Sequence, residues 1–156
     1  MFPSLRPVLN KGGAGRYISR EESVERLLPI SERHLGLLAT YDGIVAGMAT
    51  GPAKERIEAM MPYLRIEVAK VSETILSLGG TPASGVDREP AAAASGTLKE
   101  KLGTLLSAER DFGAALTEEA EAVHHQERSR AILNHNAEAS AARIELLREL
   151  AAAAIR

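Results

Sequence analysis

The chain has 156 residues, the length of a single domain with one hydrophobic core. Hydrophobic residues make up 45% of it and charged residues 26%, which is the composition of a folded protein, and the formal net charge of -2 gives no reason to expect nucleic acid as a partner. Cysteine is absent, which excludes disulfides and thiolate sites, and aromatic residues are only 3%, which favours helices with an aliphatic core.

Residues 1–19 are predicted to form an extended N-terminal arm, because they hold two prolines and three glycines without lasting periodicity. The run KGGAGR at 11–16 resembles a phosphate-binding loop but lacks the Gly-Lys-Ser/Thr ending, so a flexible basic arm is the favoured interpretation. The arm has no apolar run of signal-peptide length, and no later segment approaches the roughly 18 apolar residues of a membrane span. We therefore expect a cytoplasmic protein without a membrane partner.

The first helix is predicted over 20–49. Ser19 and Glu22 have the spacing of a capping box at its start, and Pro29 is expected to kink or interrupt it. Apolar or small residues recur at alternating steps of three and four, which is typical of a helix packed against others. This seam contains one histidine and consists of Val24, Leu27, Ser31, His34, Leu38, Tyr41, Val45 and Met48.

The second helix is predicted over 52–78, antiparallel to the first, because Gly51 and Pro52 end one helix and start the next across a short link. A Gly-Gly-Thr-Pro run ends it. Its apolar face consists of Ile57, Met61, Leu64, Val68, Val71, Ile75 and Leu78. The connection over 79–95 is long enough to cross the whole bundle, and its length is compatible with either a crossover or a local hairpin.

Two more helices are predicted, over 97–123 and 127–154, with a turn near His124; a single long helix is the alternative. The seam of the third helix consists of Leu98, Leu102, Leu105, Glu109, Phe112, Leu116 and Val123. The fourth helix is expected to turn Ile132, His135, Ala139, Ala142, Leu146 and Leu150 inward. Residues 20–156 are thus predicted to form an all-α four-helix bundle of two antiparallel hairpins.

The segment ERHLGLLATYDGIVAGMATGPAKERIEAMMPYLRIEVAKVSETILSLGGTP (32–82) resembles the first hairpin of the ferritin-like superfamily, and residues 97–150 resemble the second. Within this superfamily, the sequence most resembles the small bacterial stress-associated ferritin-like proteins. The resemblance implies a crossover between the hairpins and a di-iron or di-manganese centre. In that centre two helices supply one Glu each, and the other two supply a Glu-x-x-His each.

This chain departs from the ligand pattern that the resemblance implies. Helix three keeps a carboxylate, Glu109, in its seam, but helix four offers only Glu138 without the histidine. The remaining family positions fall at His34 or Gly36 on helix one and at Leu64 and Glu67 on helix two. The dinuclear site is therefore expected to be degenerate.

Hairpin geometry still predicts a reduced cluster. A turn near residue 51 sets His34 level with Glu67, and a turn near 124 sets His135 within one helical turn of Glu109. Two imidazoles and two carboxylates are a suitable donor set for one divalent metal such as iron, manganese or zinc, but too few for two. His34, Glu67, Glu109 and His135 are thus the candidate metal ligands, with iron or manganese as the cofactor.

Each candidate also has an ordinary structural interpretation. A lone histidine in a helical seam is more often a core histidine than a ligand, here with Glu67 or Glu109 as its hydrogen-bond partner. The partner that a buried Glu109 requires is either His34 or an arginine. Glu67 is as readily exposed as buried. A second group consists of Glu118, Glu119, Glu121, His124 and His125, in which Glu121 and His124 have Glu-x-x-His spacing. Its place near a helix end indicates a solvated face or, alternatively, a surface metal site.

The predicted function is a stress or metal-handling protein with an incomplete metal site, most simply a homodimer and not a robust oxidase. Two alternatives stay open. One is a metal-dependent oxidoreductase that uses the four candidate ligands, and the other is a helical interaction module that binds no metal.

Overall fold

The computed structural model describes residues 17–84 and 96–154. These residues form four helices: α1 (Arg20–Ala46), α2 (Pro52–Ser77), α3 (Leu98–Ala122) and α4 (Glu127–Ala154). The predicted all-α four-helix bundle is confirmed, and the alternative of one long C-terminal helix is wrong. None of these helices is long and apolar enough to cross a membrane. The predicted arm lies outside the described residues up to residue 16, as does the middle of the long connection, 85–95.

Local signals fix the helix ends. The Ser19 hydroxyl accepts a hydrogen bond from the Glu22 amide at 3.1 Å, and the Thr97 hydroxyl does the same for Glu100 at 3.2 Å. Pro52 occupies the first turn of α2, where its missing N–H costs nothing. Of the kink or interruption predicted at Pro29, the interruption is wrong, because α1 continues through this residue.

The two hairpins are joined by a crossover. At one end of the bundle, the Lys101 ammonium near the start of α3 donates to the carbonyl of Gly47 in the α1–α2 turn at 2.6 Å. At the other end, Arg26 near the start of α1 pairs with Glu119 near the end of α3 at 3.2 Å. Gly80, just after α2, lies against Val24 at that second end. The connection from α2 to α3 therefore starts and finishes at opposite ends of the bundle.

Each helix packs against two neighbours. α1 contacts α2 and α3, and α4 contacts the same two helices, with the seam between α2 and α4 the thinnest of the four. A continuous aliphatic core runs between them, and Tyr41 and Phe112 are its aromatic members.

The prediction of which face of α4 points inward is wrong. The buried residues of this helix are Ser129, Leu133, Asn136, Ser140, Arg143, Leu147 and Leu150, which also recur at steps of three and four. Of the residues predicted to point inward, Leu150 is buried, while His135 and Ala142 are exposed. The prediction failed because it chose the more apolar of two equally periodic stripes, whereas the bundle buries the more polar one.

Candidate functional site

A buried carboxylate, Glu109 on α3, lies at the centre of the bundle and is fully enclosed. One of its oxygens accepts hydrogen bonds from the Tyr41 hydroxyl at 2.7 Å and from Nε of Arg143. Its other oxygen accepts from the Ser140 hydroxyl at 2.9 Å. Glu109 is therefore held by three donors from two other helices, α1 and α4, as a buried carboxylate requires.

Arg143 joins this carboxylate to a second one. Its Nη1 donates to Oε2 of Glu67 on α2 at 2.7 Å, so the guanidinium bridges α2, α3 and α4. Burial alone would lower the pKa of Arg143, but the carboxylates of Glu109 and Glu67 raise it, so the guanidinium stays charged. Burial, together with the neighbouring Glu109, raises the pKa of Tyr41, which keeps its phenol protonated as a donor. We call Tyr41, Glu67, Glu109, Ser140 and Arg143 the central ion cluster.

His34 lies near this cluster without joining it. Its ring stacks on Phe112, with centroids 4.7 Å apart and planes inclined by 20°. Neither ring nitrogen has a hydrogen-bond partner among the described residues. Burial, followed by the charge of Arg143, lowers the pKa of His34 to about 3, so the imidazole is neutral. The hydrogen bond expected between His34 and a carboxylate is absent, and the partner of Glu109 is instead an arginine, Arg143.

The structure brings three of the four candidate ligands into the core and leaves the fourth outside. His34, Glu67 and Glu109 are buried, while His135 is exposed on the outer side of α4. Within 17–84 and 96–154, no group of three or more His, Asp or Glu side chains is arranged to hold a metal ion. The donor set does not fit a divalent cation, because a guanidinium already holds both carboxylates.

In the second predicted group, at the end of α3, the fully buried histidine is His125 and not His124. Glu121 is exposed, and the His124 ring packs edge-on against Tyr17 at 4.4 Å. The buried residue is His125, whose Nε2 lies 3.0 Å from Glu119, the carboxylate that also binds Arg26. Burial lowers the pKa of His125, and Glu119 opposes this shift only in part. This group ties the α3–α4 turn to α1.

Two cavities of about 430 and 340 Å³ follow one another along the outer side of the α2–α4 seam. Besides the buried Glu67 and Arg143, the first is lined by Ala59, Met60, Tyr63, Ala139, Ala142 and Leu146. The lining of the second includes Lys70, Glu73, Arg128, Ala131, Ile132 and His135. On α4 the lining residues recur every three or four positions, so both cavities share one helix face. We call them together the α2–α4 groove.

The groove explains the misassigned face of α4. Five of the six residues predicted to point inward, Ile132, His135, Ala139, Ala142 and Leu146, line the groove instead. Tyr63 on the facing helix is 68% exposed, and Ile66, one turn further along α2, is 52% exposed. On α4, His135 and Ala142 are thus exposed, while Ile132 and Leu146 are half-buried at the edge of the core, and the more polar stripe of the same helix is fully buried.

The sequence reasoning missed Arg143 and Ser140. Both lie on a stripe with regular spacing that includes Leu133, Leu147 and Leu150, and this spacing is the signal that could have found them. The sequence leaves an arginine open as the partner of Glu109, and Arg143 is the arginine of this stripe on the helix that packs against α3.

Comparison of the chain with protein-family models, with curated proteins and with solved structures found no match.

Proposed function

We propose that this protein is a helical interaction module that works without a metal, and that the α2–α4 groove is its association surface. The observation that carries the proposal is the position of Arg143. Its guanidinium bridges Glu67 and Glu109, the two core carboxylates that a metal would need.

Electrostatics supports this choice. A divalent cation at the carboxylates would have to displace a buried guanidinium or stand beside it, and two cations at such a distance repel strongly in a poorly solvated core. The only imidazole nearby, His34, already stacks on Phe112. The guanidinium thus pairs with both carboxylates, and the cluster connects all four helices.

The groove supplies the surface for association. Exposed apolar groups that form a contiguous patch on a folded protein typically mark sites of interaction. Here Tyr63 is 68% exposed and Ala142 is exposed, Leu146 beside them is half-buried, and the core takes up the more polar stripe of α4. Such an arrangement is costly unless a partner covers the apolar stripe.

The ferritin-like resemblance stays a proposal about ancestry. The two hairpins and the crossover between α2 and α3 support it, because the resemblance implies that topology. The metal chemistry does not follow from it, because Arg143 stands at the carboxylates.

The test is an anaerobic titration of the full chain with ferrous iron and with Mn²⁺, followed by calorimetry and by metal analysis after desalting. We expect no stoichiometric binding by the wild type. The matched variant is Arg143→Met, which frees both carboxylates and keeps the apolar stem. Binding of about one equivalent by the wild type, lost in Glu109→Gln, would overturn the proposal and restore the metal-handling function.

A further inference from the structure

We propose that the apolar half of the α2–α4 groove, the cavity of about 430 Å³ beside Glu67, binds a small organic ammonium ion, which is a primary amine carried on an apolar body. This inference rests on the proposed function, because it names a ligand class for the same surface. Three features support it: a free carboxylate oxygen, the charge balance of the central ion cluster and the lining of the cavity.

Glu67 has one carboxylate oxygen that is free to bind a ligand. The residue is only 7% exposed and lines the cavity, and its Oε2 accepts a hydrogen bond from Nη1 of Arg143 at 2.7 Å. Its Oε1 accepts no hydrogen bond from any described residue, yet this atom is not one of the fully enclosed side-chain atoms that lack a partner. Oε1 is therefore accessible from the cavity, and a carboxylate so deeply buried favours a hydrogen-bond donor there.

The central ion cluster holds one more negative charge than positive charge. Glu67 and Glu109 are carboxylates, and Arg143 is the one guanidinium that pairs with them. The phenol of Tyr41 and the imidazole of His34 beside the cluster are neutral. A mostly buried excess of negative charge favours a monovalent cation as the group that binds Oε1 of Glu67. An anionic head group would add a third negative charge, and a neutral one would leave the excess uncompensated.

The walls of the cavity suit an apolar body. Apart from Glu67 and Arg143, every described residue that lines it is an alanine, a methionine, a leucine or a tyrosine. The tyrosine is Tyr63, and aromatic rings attract ammonium groups that lie within about 6 Å of the ring centroid. Small-molecule sites typically combine a mainly apolar lining with a few polar groups in a volume of about 300–1,000 Å³, and this cavity has both properties.

An organic ammonium ion differs from a divalent metal in what it requires. A metal needs several ligand atoms and would compete with Arg143 for both carboxylates, whereas an ammonium group needs Oε1 of Glu67 alone and leaves both ion pairs of Arg143 intact. It lies on the open side of Glu67, where water screens its repulsion with the guanidinium. The same carboxylate thus rejects a metal and accepts an amine.

The experiment is a fluorescence titration of the full chain at neutral pH. Its three probes share a naphthalene body and differ in the head group: naphthylethylamine, naphthylethanol and naphthaleneacetate. The chain has no tryptophan, so the fluorescence of the probe is observed without interference from an indole. We expect the amine to bind about tenfold more tightly than the alcohol, as a hydrogen bond to a charged group predicts, and the acetate to bind most weakly.

Two pairs of variants assign the binding to this cavity. Ala142→Leu fills the cavity and should abolish binding of the amine, whereas Ala141→Leu, on the next, equally exposed residue, which does not line the cavity, should leave it unchanged. Glu67→Gln keeps the shape of the side chain and removes its charge, so the affinity for the amine should fall to that for the alcohol. Its control is Glu73→Gln, on an exposed carboxylate of the same helix that lines the other cavity, for which no change is expected.

An amine that binds no more tightly than the alcohol, or that binds Ala142→Leu as tightly as the wild type, would overturn the inference. Because Ala142 is exposed, this arm stays decisive if Glu67→Gln does not fold, which circular dichroism reports. Either result leaves the proposed function standing if no metal binds, because the metal titration is an independent readout.

Discussion

At the scale of single residues, the centre of this bundle depends on one guanidinium. Arg143 bonds to Glu109 and to Glu67, and each of the three side chains comes from a different helix. Buried ion pairs contribute little net stability compared with apolar packing, but removing one partner leaves a charge without solvent or counter-ion. The cluster is therefore sensitive to single substitutions.

We expect Glu109→Gln to lower the free energy of unfolding by roughly 1–3 kcal/mol, because buried donors lose their charged acceptor while Arg143 keeps its ion pair with Glu67. The amide keeps the shape of the carboxylate but removes one of the two negative charges that pair with Arg143, and its NH₂ group meets the donors that now bond to the carboxylate. Urea unfolding followed by circular dichroism measures the change. The control is Glu138→Gln on an exposed carboxylate, for which a change within about 0.5 kcal/mol is expected. Equal stability of the two variants would contradict a structural role for the cluster.

The lowered pKa of His34 predicts that the free energy of unfolding decreases in acid. Because its pKa falls from 6.5 in the unfolded chain to about 3 in the folded one, the unfolded state binds the proton more tightly between these values. Stability from this group is thus fully present above pH 6.5 and is lost as the pH falls toward 3. The loss should reach roughly 2–3 kcal/mol by about pH 4.5.

The matched variant is His34→Leu, which removes two buried nitrogens that lack partners. We expect its free energy of unfolding at neutral pH to lie within about 1 kcal/mol of the wild type, since the volume is similar and no hydrogen bond is lost. Its stability should fall less steeply with acid than that of the wild type. An imidazole of His34 that titrates near its ordinary pKa in an NMR experiment would contradict this account.

At the scale of the helices, α3 contains two glycines with different surroundings. Gly103 is exposed, and a methyl group added there would meet no atom within 4 Å. At Gly113 the same group would lie 3.1 Å from the hydroxyl of Ser140, which bonds to Glu109. The first glycine weakens the helix without a packing role, while the second gives α4 room to approach.

We therefore expect Gly103→Ala to raise the free energy of unfolding by up to about 1 kcal/mol, the difference in helix propensity between the two residues. Gly113→Ala has the same propensity gain but presses on Ser140, so we expect it to show no gain or a net loss. Thermal unfolding of the two variants side by side gives the comparison. A gain at both positions would show that Ser140 moves aside without cost.

The helices and the buried faces of α1, α2 and α3 were largely predictable, and the buried face of α4 was not. Capping residues and Gly-Pro turns are local signals, so the predicted helices end within three residues of the observed ones, the largest difference being 49 against Ala46. Which stripe of α4 faces inward is decided by tertiary contacts. Arg143 is buried because it forms ion pairs with Glu67 on α2 and Glu109 on α3. The periodicity of α4 alone does not show that these partners exist.

At the scale of the whole molecule, the polar core raises the question of what it contributes to the fold. Asn136 and Ser129 each keep one buried polar side-chain atom without a partner among the described residues, as does Arg143. An all-apolar stripe in their place would bury more hydrocarbon. A polar core of this kind is expected to select one helix register, because any slip separates Arg143 from its carboxylates.

This expectation is tested by replacing the cluster as a unit. The variant Tyr41→Phe, Glu67→Leu, Glu109→Leu, Arg143→Met removes all of its charges and its phenol at similar volume. We expect its free energy of unfolding to exceed that of Glu109→Gln and to equal or exceed that of the wild type, since no charge stays buried. Amide resonances of the same variant should broaden, because the apolar core permits more than one packing. A variant that is less stable than Glu109→Gln would show instead that the cluster contributes net stability, and sharp resonances would show that the aliphatic core alone selects the register.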